Sequence, residues 1–303
     1  MSKKKHSILF VILILGVTVL VLGTVMTAFQ KYFDHPLKLS FSQKIGVVPI
    51  EGTIVDSRAI LSQLVEFKKD KSIKAIILRI DSPGGGVGAS QEIYREVRKT
   101  SKTKKIIVSM GGVAASGGYY IAAAGDEIVA NPGTITGSIG VIMEFVQVRE
   151  LIEKIGVGLE VIKSGEFKDI GSPHRQLSEK ERELLNVLIA DIQGQFVKAV
   201  AEGRGLSVEK VREIADGRIL SGAMAKELGL VDKLGNFLDA VDLAKEMTGI
   251  EGDVNLVYPK VHKLGALDLL FQSAARSLYD SFINIMGNRI EYRWDSRLPY
   301  SFK

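Results

Sequence analysis

The sequence predicts an α/β fold built on a mainly parallel sheet with flanking helices. Short runs of apolar and β-branched residues, typical of buried strands, alternate with longer segments whose apolar residues recur at helical spacing. Stretches rich in glycine and alanine follow two of these strands, at residues 84–86 and 111–118. Because parallel strands need a crossover connection between them, this alternation favours successive βαβ units.

The predicted elements follow one another in order from residue 44. Strands are predicted at residues 44–50, 75–80, 105–110 and 127–130, and helices at residues 60–67, 90–100, 115–124, 178–202, 207–215 and 223–228. Functional atoms in open parallel sheets gather beyond the carboxyl ends of the strands. The stretch 84–86 and Ser116 both lie at such ends. Residues 264–286 are also close to helical periodicity, and we expect them to pack against the domain or a neighbouring subunit rather than on a membrane surface.

A long uncharged run near the N-terminus predicts a transmembrane anchor. Residues 7–29 carry no charge and follow Lys3, Lys4 and Lys5. A helix of this length crosses a hydrocarbon core of roughly 30 Å at ~1.5 Å per residue, whereas a cleaved signal peptide usually has an apolar core of only about 7–15 residues. With the lysines on the cytoplasmic side, the remainder of the chain lies on the extracytoplasmic face of the cell membrane.

Composition argues against several classes of site. Apart from the three N-terminal lysines, basic and acidic residues nearly balance, which argues against nucleic-acid binding. The chain has no cysteine, so disulfides, thiolate metal sites and a cysteine nucleophile are excluded. No cluster of His, Asp and Glu has metal-ligand spacing. We therefore expect neither a metal ion nor a cofactor.

Ser116 is a candidate nucleophile. It lies among small residues at a predicted strand-to-helix junction, which would let a substrate backbone approach closely. A serine hydroxyl needs a neighbouring base, and Lys168 is a candidate if burial keeps its amine neutral. The apolar neighbour Phe167 favours such burial, whereas Asp169 would oppose it if its carboxylate pointed inward. On residue types alone, an ordinary packed serine and a solvated lysine remain the open alternative.

The triglycine stretch at residues 84–86 suits an oxyanion hole. Glycine can adopt positive φ and direct backbone N–H groups into a cleft. Each such donor contributes roughly 2.7–4 kcal/mol to stabilising an acyl-transfer transition state. The spacing Gly84-x-Gly86-x-x-Ala89 also satisfies the dinucleotide-binding fingerprint. That alternative requires an acidic residue at the end of the next predicted strand, where the sequence has none.

Four motifs in a fixed order carry a resemblance to a known family. They are Asp-Ser-Pro-Gly-Gly-Gly at residues 81–86, Met-Gly-Gly-Val-Ala-Ala-Ser-Gly-Gly-Tyr-Tyr at 110–120, Thr-Ile-Thr-Gly-Ser-Ile-Gly at 134–140 and Lys-Ser-Gly-Glu-Phe-Lys-Asp at 163–169. Over about residues 45–234 the chain resembles the signal peptide peptidase A family in its short, single-anchor form. More distantly, it resembles the ClpP/crotonase type of fold.

The resemblance implies roles for residues within these motifs. Ser116 would be the nucleophile, Lys168 the general base, and Ser138 the residue that holds the lysine amine by a hydrogen bond. Backbone N–H groups of Gly85 and Gly117 would form the oxyanion hole. Because family members assemble as rings around a shared cavity, the resemblance also implies a homo-oligomer in which a site draws its serine and its lysine from adjacent chains.

The sequence therefore predicts a membrane-anchored serine endopeptidase with a Ser-Lys dyad, which digests remnant signal peptides after their release from secreted proteins. Its expected partners are signal peptides, other small or apolar membrane-derived peptides, and the lipid bilayer. Alternatives are a catalytically silent anchored scaffold and a crotonase-like acyl-thioester enzyme. A Ser-His site using His174 is a further alternative, to which the resemblance assigns no role.

The predicted domain organisation follows from these features. It comprises a basic cytoplasmic segment at residues 1–6, the anchor at 7–29, a linker at 30–42, a catalytic protease domain at 43–248 and a C-terminal extension of undetermined role at 249–303.

Overall fold

A computed structural model describes residues 15–26, 43–259 and 290–293. The strands are β1 (Lys44–Glu51), β2 (Ile73–Ser82), β3 (Gly84–Gly86), β4 (Lys105–Ala115), β5 (Glu127–Ala130), β6 (Ile135–Gly137), β7 (Ile142–Met143), β8 (Ile219–Ser221), β9 (Lys233–Leu234), β10 (Asn255–Val257) and β11 (Ile290–Arg293). The helices are α1 (Leu15–Met26), α2 (Arg58–Lys69), α3 (Val87–Ser101), α4 (Gly117–Ala122), α5 (Arg149–Lys154), α6 (Glu179–Arg204), α7 (Val208–Ile214), α8 (Gly222–Glu227) and α9 (Phe237–Thr248).

The predicted α/β class is confirmed by a main sheet in the order β10-β1-β2-β4-β5-β9. All neighbouring strands along this path run parallel. Strand β6 extends the sheet beyond the end of β4, which it pairs in parallel, and β8 pairs with β6 antiparallel. The predicted strands at 44–50, 75–80, 105–110 and 127–130 are confirmed as β1, β2, β4 and β5.

Both faces of the main sheet are buried, because alternate residues of each central strand point to opposite sides. On one face, strand residues such as Ile76 and Leu78 pack with α2, α3, α4 and α6. On the other, Ala75 and Ile77 pack with α9. The sheet is therefore covered by helices on both sides, and its carboxyl ends remain as the edge where loops can form a site.

The main difference from the sequence-based prediction lies at the end of β4. This strand continues to Ala115, whereas residue 115 was predicted to begin a helix. The extension exists because residues Val113–Ala115 of β4 pair with β6, a short strand that the sequence pattern did not indicate. As a result, the turn into α4 falls on Ser116 itself.

A second, smaller sheet has the order β3-β11-β7, with β11 antiparallel to both neighbours. Strand β11 lies in the predicted C-terminal extension, whose predicted helical stretch at 264–286 falls outside the described residues.

Two helices bear on the predicted anchor. Helix α1 is exposed along its length and belongs to a unit separate from residues 43 onward. It is shorter than a membrane span. The rest of the predicted anchor at 7–29 lies outside the described residues. Among the described helices, α6 has the length and hydropathy of a span. Its second half, however, buries Phe196 and Val200 in the core of the domain, as expected for a core helix.

Candidate active site

Ser116 occupies the sharp turn between β4 and α4. Its backbone has φ 52° and ψ −115°, and its relative exposure is 1%. A residue other than glycine in such a conformation costs about 1–3 kcal/mol and persists only where the surroundings enforce it. Here the Ser116 N–H donates to the carbonyl of Gly137 at 2.9 Å, and its carbonyl accepts from the Tyr120 N–H at 2.8 Å. The serine is therefore held in a strained conformation at the carboxyl end of a central strand.

Ser138 lies beside Ser116 because of the pairing between β4 and β6. Ala115 is in register with Gly137, so the two serines follow directly on paired residues. Ser138 also has positive φ, at 50°, and its N–H donates to the carbonyl of Arg218 at 2.8 Å. Of the described residues other than glycine, these two serines alone have positive φ. The structure thus brings together two predicted site residues that lie far apart in sequence.

The triglycine strand β3 is fixed at the same end of the sheet. The Ile54 N–H donates to the carbonyl of Gly84, and the Gly86 N–H donates to the carbonyl of Ile54, each at 2.8 Å. A Cβ atom on Gly85 would lie 2.2 Å from the carbonyl oxygen of Ile54, so a side chain cannot be placed there without displacing backbone. Gly85 is therefore required for the close approach of β3 to residue 54.

Helix α4 packs closely against the turn that precedes β3. A Cβ atom on Gly118 would lie 3.0 Å from the carbonyl oxygen of Ser82. The Ser82 hydroxyl donates to the Gly52 carbonyl at 2.6 Å and accepts from the Gly84 N–H at 3.1 Å, which anchors the start of β3. The N–H of Gly117, as the first residue of a helix, has no partner within that helix. Gly85 and Gly117 therefore lie on neighbouring elements beside Ser116.

Lys168, by contrast, makes no hydrogen bond to Ser116 within the part of the chain that the structure describes. It lies in a segment of turns, and every residue from 153 to 168 is exposed. Its predicted apolar neighbour Phe167 is 40% exposed and so does not bury it. Among the described residues, the Lys168 ammonium makes no hydrogen bond or ion pair. The part of the chain that the structure describes therefore does not give Lys168 the buried surroundings that a neutral lysine needs.

The acidic residues next to Lys168 are paired with other cations. Asp169 accepts hydrogen bonds from Lys163 Nζ at 2.7 Å and from Arg175 Nε at 2.9 Å. Glu166 forms an ion pair with Lys180 at 3.2 Å. Both carboxylates are therefore engaged by cations other than Lys168.

Arg175 connects this segment to the start of α6. Its guanidinium donates to both carboxylate oxygens of Glu181, at 2.8 and 2.5 Å, as well as to Asp169. Glu181 in turn closes a capping box with Ser178, since its carboxylate accepts from the Ser178 N–H at 2.8 Å. The residue that follows Lys168 is thus fixed to a helix terminus by a chain of charged hydrogen bonds.

Pairing keeps this network ionised. The hydrogen bonds from Arg175 and then Lys163 lower the pKa of Asp169 well below its usual range. Hydrogen bonds from Arg175 and then the Ser178 backbone lower the pKa of Glu181 to about 2. The same two carboxylates, Glu181 first, raise the pKa of Arg175. This network was not predicted from the sequence, although the Ser178-x-x-Glu181 spacing is typical of a capping box.

His174 does not complete a Ser-His arrangement within the described residues. It follows Pro173 and is half-buried, and its Nδ1 atom is buried without a hydrogen-bond partner among the described residues. No hydrogen bond joins it to Ser116 there.

Comparison with known proteins identifies the family. The family model of peptidase family S49 matches residues 98–251, and that of Clp protease matches residues 41–133, in agreement with the ClpP-like fold. A Synechocystis sp. protein named as a candidate protease is 44% identical over 250 residues, which cover 80% of this chain and 90% of that protein. An Enterococcus faecium protein named as a candidate signal peptide peptidase is 38% identical over 219 residues, covering 68% of this chain and 64% of that protein.

A plant relative extends the same comparison. A chloroplastic serine protease of Arabidopsis thaliana is 36% identical over 212 residues, covering 70% of this chain and 31% of that protein. The S49 match covers half of the chain, and the Synechocystis protein aligns over most of both proteins. The chain therefore belongs to peptidase family S49.

Proposed function

We propose that this peptidase is a membrane-anchored serine endopeptidase in which Ser116 is the nucleophile and Lys168 the general base. The observation that carries the proposal is the strained, buried position of Ser116 at the end of β4, beside Ser138 and the triglycine strand. Strained backbone of this kind is typical of functional sites, because a fold retains its cost only where the surroundings over-determine it. Membership in family S49 supports the peptidase activity.

The proposed reaction is acyl transfer followed by hydrolysis. The Ser116 hydroxyl attacks the carbonyl carbon of the scissile bond while the neutral Lys168 amine accepts its proton. The oxyanion that develops accepts hydrogen bonds from the N–H groups of Gly85 and Gly117, each worth roughly 2.7–4 kcal/mol at such a site. Lys168 then gives its proton to the leaving amine. Water attacks the acyl-enzyme by the same route and restores the serine.

In this proposal the base is supplied by an adjacent copy of the chain. Lys168 is exposed in its own copy, whereas Ser116 is buried at the end of a strand. A second copy that covers the segment around Lys168 would bury this lysine and place its own Ser116 and Ser138 beside it. Burial of this kind is the physical condition for a lysine to act as a base near neutral pH.

The exposed segment around Lys168 has the composition of an interface. Its large apolar side chains are exposed and have no place in the core of their own copy, as in Leu151, Ile155, Val157, Leu159, Ile162 and Phe167. So many large apolar side chains exposed within one short segment support an interaction site there. The occupant that we propose is a second copy of this chain, in a homo-oligomeric ring, because the segment also bears a candidate catalytic residue that its own copy does not use.

The proposed substrates are remnant signal peptides and other small or apolar peptides of the membrane. The name of the Enterococcus faecium relative, a candidate signal peptide peptidase, supports this substrate class. The uncharged run at residues 7–29 and the lysines before it support a single-pass anchor with a cytoplasmic N-terminus and an extracytoplasmic catalytic domain. Such an anchor would keep the site close to substrates released within the bilayer.

Single substitutions in the full-length protein in detergent test the proposal. Hydrolysis of an apolar peptide is expected to fall by at least about 10³-fold in Ser116→Ala and in Lys168→Ala, because nucleophile and base act as one unit. The matched control is Lys210→Ala, at an exposed lysine of α7, which should keep full activity. Hydrolysis that persists in Ser116→Ala would refute the assignment. A wild-type protein that hydrolyses no peptide would instead favour the catalytically silent scaffold.

A further inference from the structure

The turn that carries Lys168 is held by one arginine. Residues 155–178 lie between helices α5 and α6 and form turns and loops without a helix or strand of their own. Segments with few buried contacts open more easily than the core of a protein. The side chain of Arg175 supplies fixed contacts here, because it joins Asp169, the residue after Lys168, to Glu181 at the start of α6.

The guanidinium of Arg175 makes two hydrogen bonds to each of two carboxylates. Its Nε donates to Asp169 Oδ2 at 2.9 Å, and its Nη2 donates to Asp169 Oδ1 at 2.7 Å. Toward Glu181, Nη1 donates to Oε2 at 2.8 Å and Nη2 donates to Oε1 at 2.5 Å. The rigid, planar fork of an arginine presents its donors in this way, whereas a lysine has a single ammonium on a flexible stem. The contact therefore requires arginine at residue 175.

On the side of α6, this contact reaches the core of the domain. The Glu181 side chain is 2% exposed and closes the capping box with Ser178. The same helix continues to Phe196 and Val200, which are fully buried. Hydrogen bonds between charged groups are stronger than neutral ones, and they gain strength in partly buried surroundings. Arg175 thus ties an exposed turn to a helix that the core holds in place.

Contacts on the other side close the turn around Lys168. Lys163 Nζ donates to Asp169 Oδ1 at 2.7 Å and to the carbonyl of Glu166 at 3.0 Å. The Lys168 N–H donates to the carbonyl of Gly165 at 3.2 Å. The backbone of Lys168 is thereby held from both sides, whereas its ammonium makes no hydrogen bond or ion pair among the described residues. A network that fixes the backbone of a lysine and leaves its amine unused indicates that the amine is presented to another group.

We propose that Arg175 is the positioning residue of Lys168, and that it sets where the lysine amine meets the Ser116 hydroxyl of the adjacent copy. The inference rests on the Ser116–Lys168 function proposed above, and it adds to that function the residue on which the position of the base depends. In this role Arg175 acts through Asp169 and touches neither the substrate nor the reacting atoms.

The position of a general base is critical because proton transfer needs direct contact. The base must lie within about 2.6–3.2 Å of the hydroxyl that it deprotonates. Misplacing a reacting group by about 1 Å can lower the rate on the order of 10²-fold. Arg175→Lys keeps the positive charge and removes the paired hydrogen bonds, so we expect kcat for an apolar peptide to fall by about 10²-fold. KM should stay within about twofold, because the oxyanion hole and the surroundings of Ser116 are unchanged.

The first experiment compares Arg175→Lys with a matched control in the full-length protein in detergent. The control is Arg58→Lys, because Arg58 forms an exposed pair of the same kind, in which its Nε donates to Asp56 at 2.8 Å. We expect Arg58→Lys to keep the wild-type kcat and KM. The size of the assembly, measured on both variants by native mass spectrometry, should match that of the wild type.

Mixed assemblies then show on which side of the site Arg175 acts. When Ser116→Ala and Lys168→Ala chains are combined, every working site takes its lysine from the first variant and its serine from the second. Arg175→Lys added to the Ser116→Ala chain should lower hydrolysis by the same factor of about 10². The same substitution added to the Lys168→Ala chain should leave hydrolysis at the level of the unsubstituted mixture. A residue that only stabilises the fold would lower hydrolysis in both mixtures alike.

The remaining outcomes separate this inference from the proposed function. Equal falls in the two mixtures, or unchanged hydrolysis in both, would overturn the inference and leave the shared site intact. A fall confined to the mixture in which Arg175→Lys lies on the chain with the intact serine would overturn it as well. An unsubstituted mixture that is inactive, while the wild type hydrolyses peptide, would refute the shared site and with it the adjacent copy named in this inference. A wild-type protein that hydrolyses no peptide would overturn the proposed function and this inference together.

Discussion

If Ser116 and Lys168 of one site come from adjacent copies, two inactive variants must restore each other. In an assembly of Ser116→Ala and Lys168→Ala chains mixed at random in equal amounts, a working site needs an intact serine from one variant beside an intact lysine from the other. Each condition is met half of the time, so about a quarter of the wild-type activity is expected, whatever the size of the ring. The structure motivates this value because Lys168 is exposed in its own copy and Ser116 is buried.

The assay uses co-expressed full-length chains with different affinity tags, purified through both tags in turn so that only mixed assemblies are measured. Peptide hydrolysis is compared with that of each variant alone, which should be at background. A dilution series gives an independent value. Wild type mixed equally with the double variant should retain about a quarter of the sites if they lie between copies, and about half if each lies within one copy. Background activity in the mixed variants, together with half activity in the dilution, would refute the shared site.

Further predictions concern β3, the core and the charged network. Gly85→Ala should abolish peptide hydrolysis and lower the free energy of unfolding by about 1–3 kcal/mol, because its Cβ would lie 2.2 Å from the Ile54 carbonyl oxygen. Gly86→Ala, whose Cβ would lie 3.6 Å from the same oxygen, should have wild-type stability in urea titrations. Equal stability of the two variants would contradict this expectation. Phe196→Ala should cost about 3–5 kcal/mol in the same titration, since the ring is fully buried, and a loss below 1 kcal/mol would contradict the packing. The pKa of Glu181 is lowered to about 2, so the contribution of its carboxylate to stability is present above its unfolded value of 4.5 and is lost as the pH falls toward 2. Glu181→Gln should therefore reduce the fall of the melting temperature over this pH range. An unchanged fall would show that other groups control it.

The strands of the main sheet could be predicted because their burial on both faces leaves continuous apolar runs. Residues 75–80 are such a run, and their alternate side chains do face two different cores. The short strand β6 could not be predicted in this way, because its strand conformation depends on pairing with β4. For the same reason the sequence placed residue 115 in a helix, although β4 continues to Ala115.

The same distinction between local sequence signals and long-range pairing applies to the candidate site. The residue types and motif order indicated Ser116, Ser138 and Gly85, and the structure places them on neighbouring elements at one end of the sheet. The positive φ of the two serines is set by long-range pairing and has no local signal. Lys168, also indicated by its motif, is exposed in the structure, and its approach to Ser116 belongs to the proposed assembly of adjacent copies. Strand β11 could not be predicted from the sequence either, because its partner strands are more than 140 residues away.

The central claim is that Ser116 is the nucleophile and that its reactivity depends on Lys168. It is tested most directly by treating the full-length protein with a fluorophosphonate and locating the adduct by peptide mass spectrometry. We predict a single adduct on Ser116 that is lost in Ser116→Ala and in Lys168→Ala and retained in His174→Ala. An adduct on another residue, or none in protein that hydrolyses peptide, would contradict the assignment.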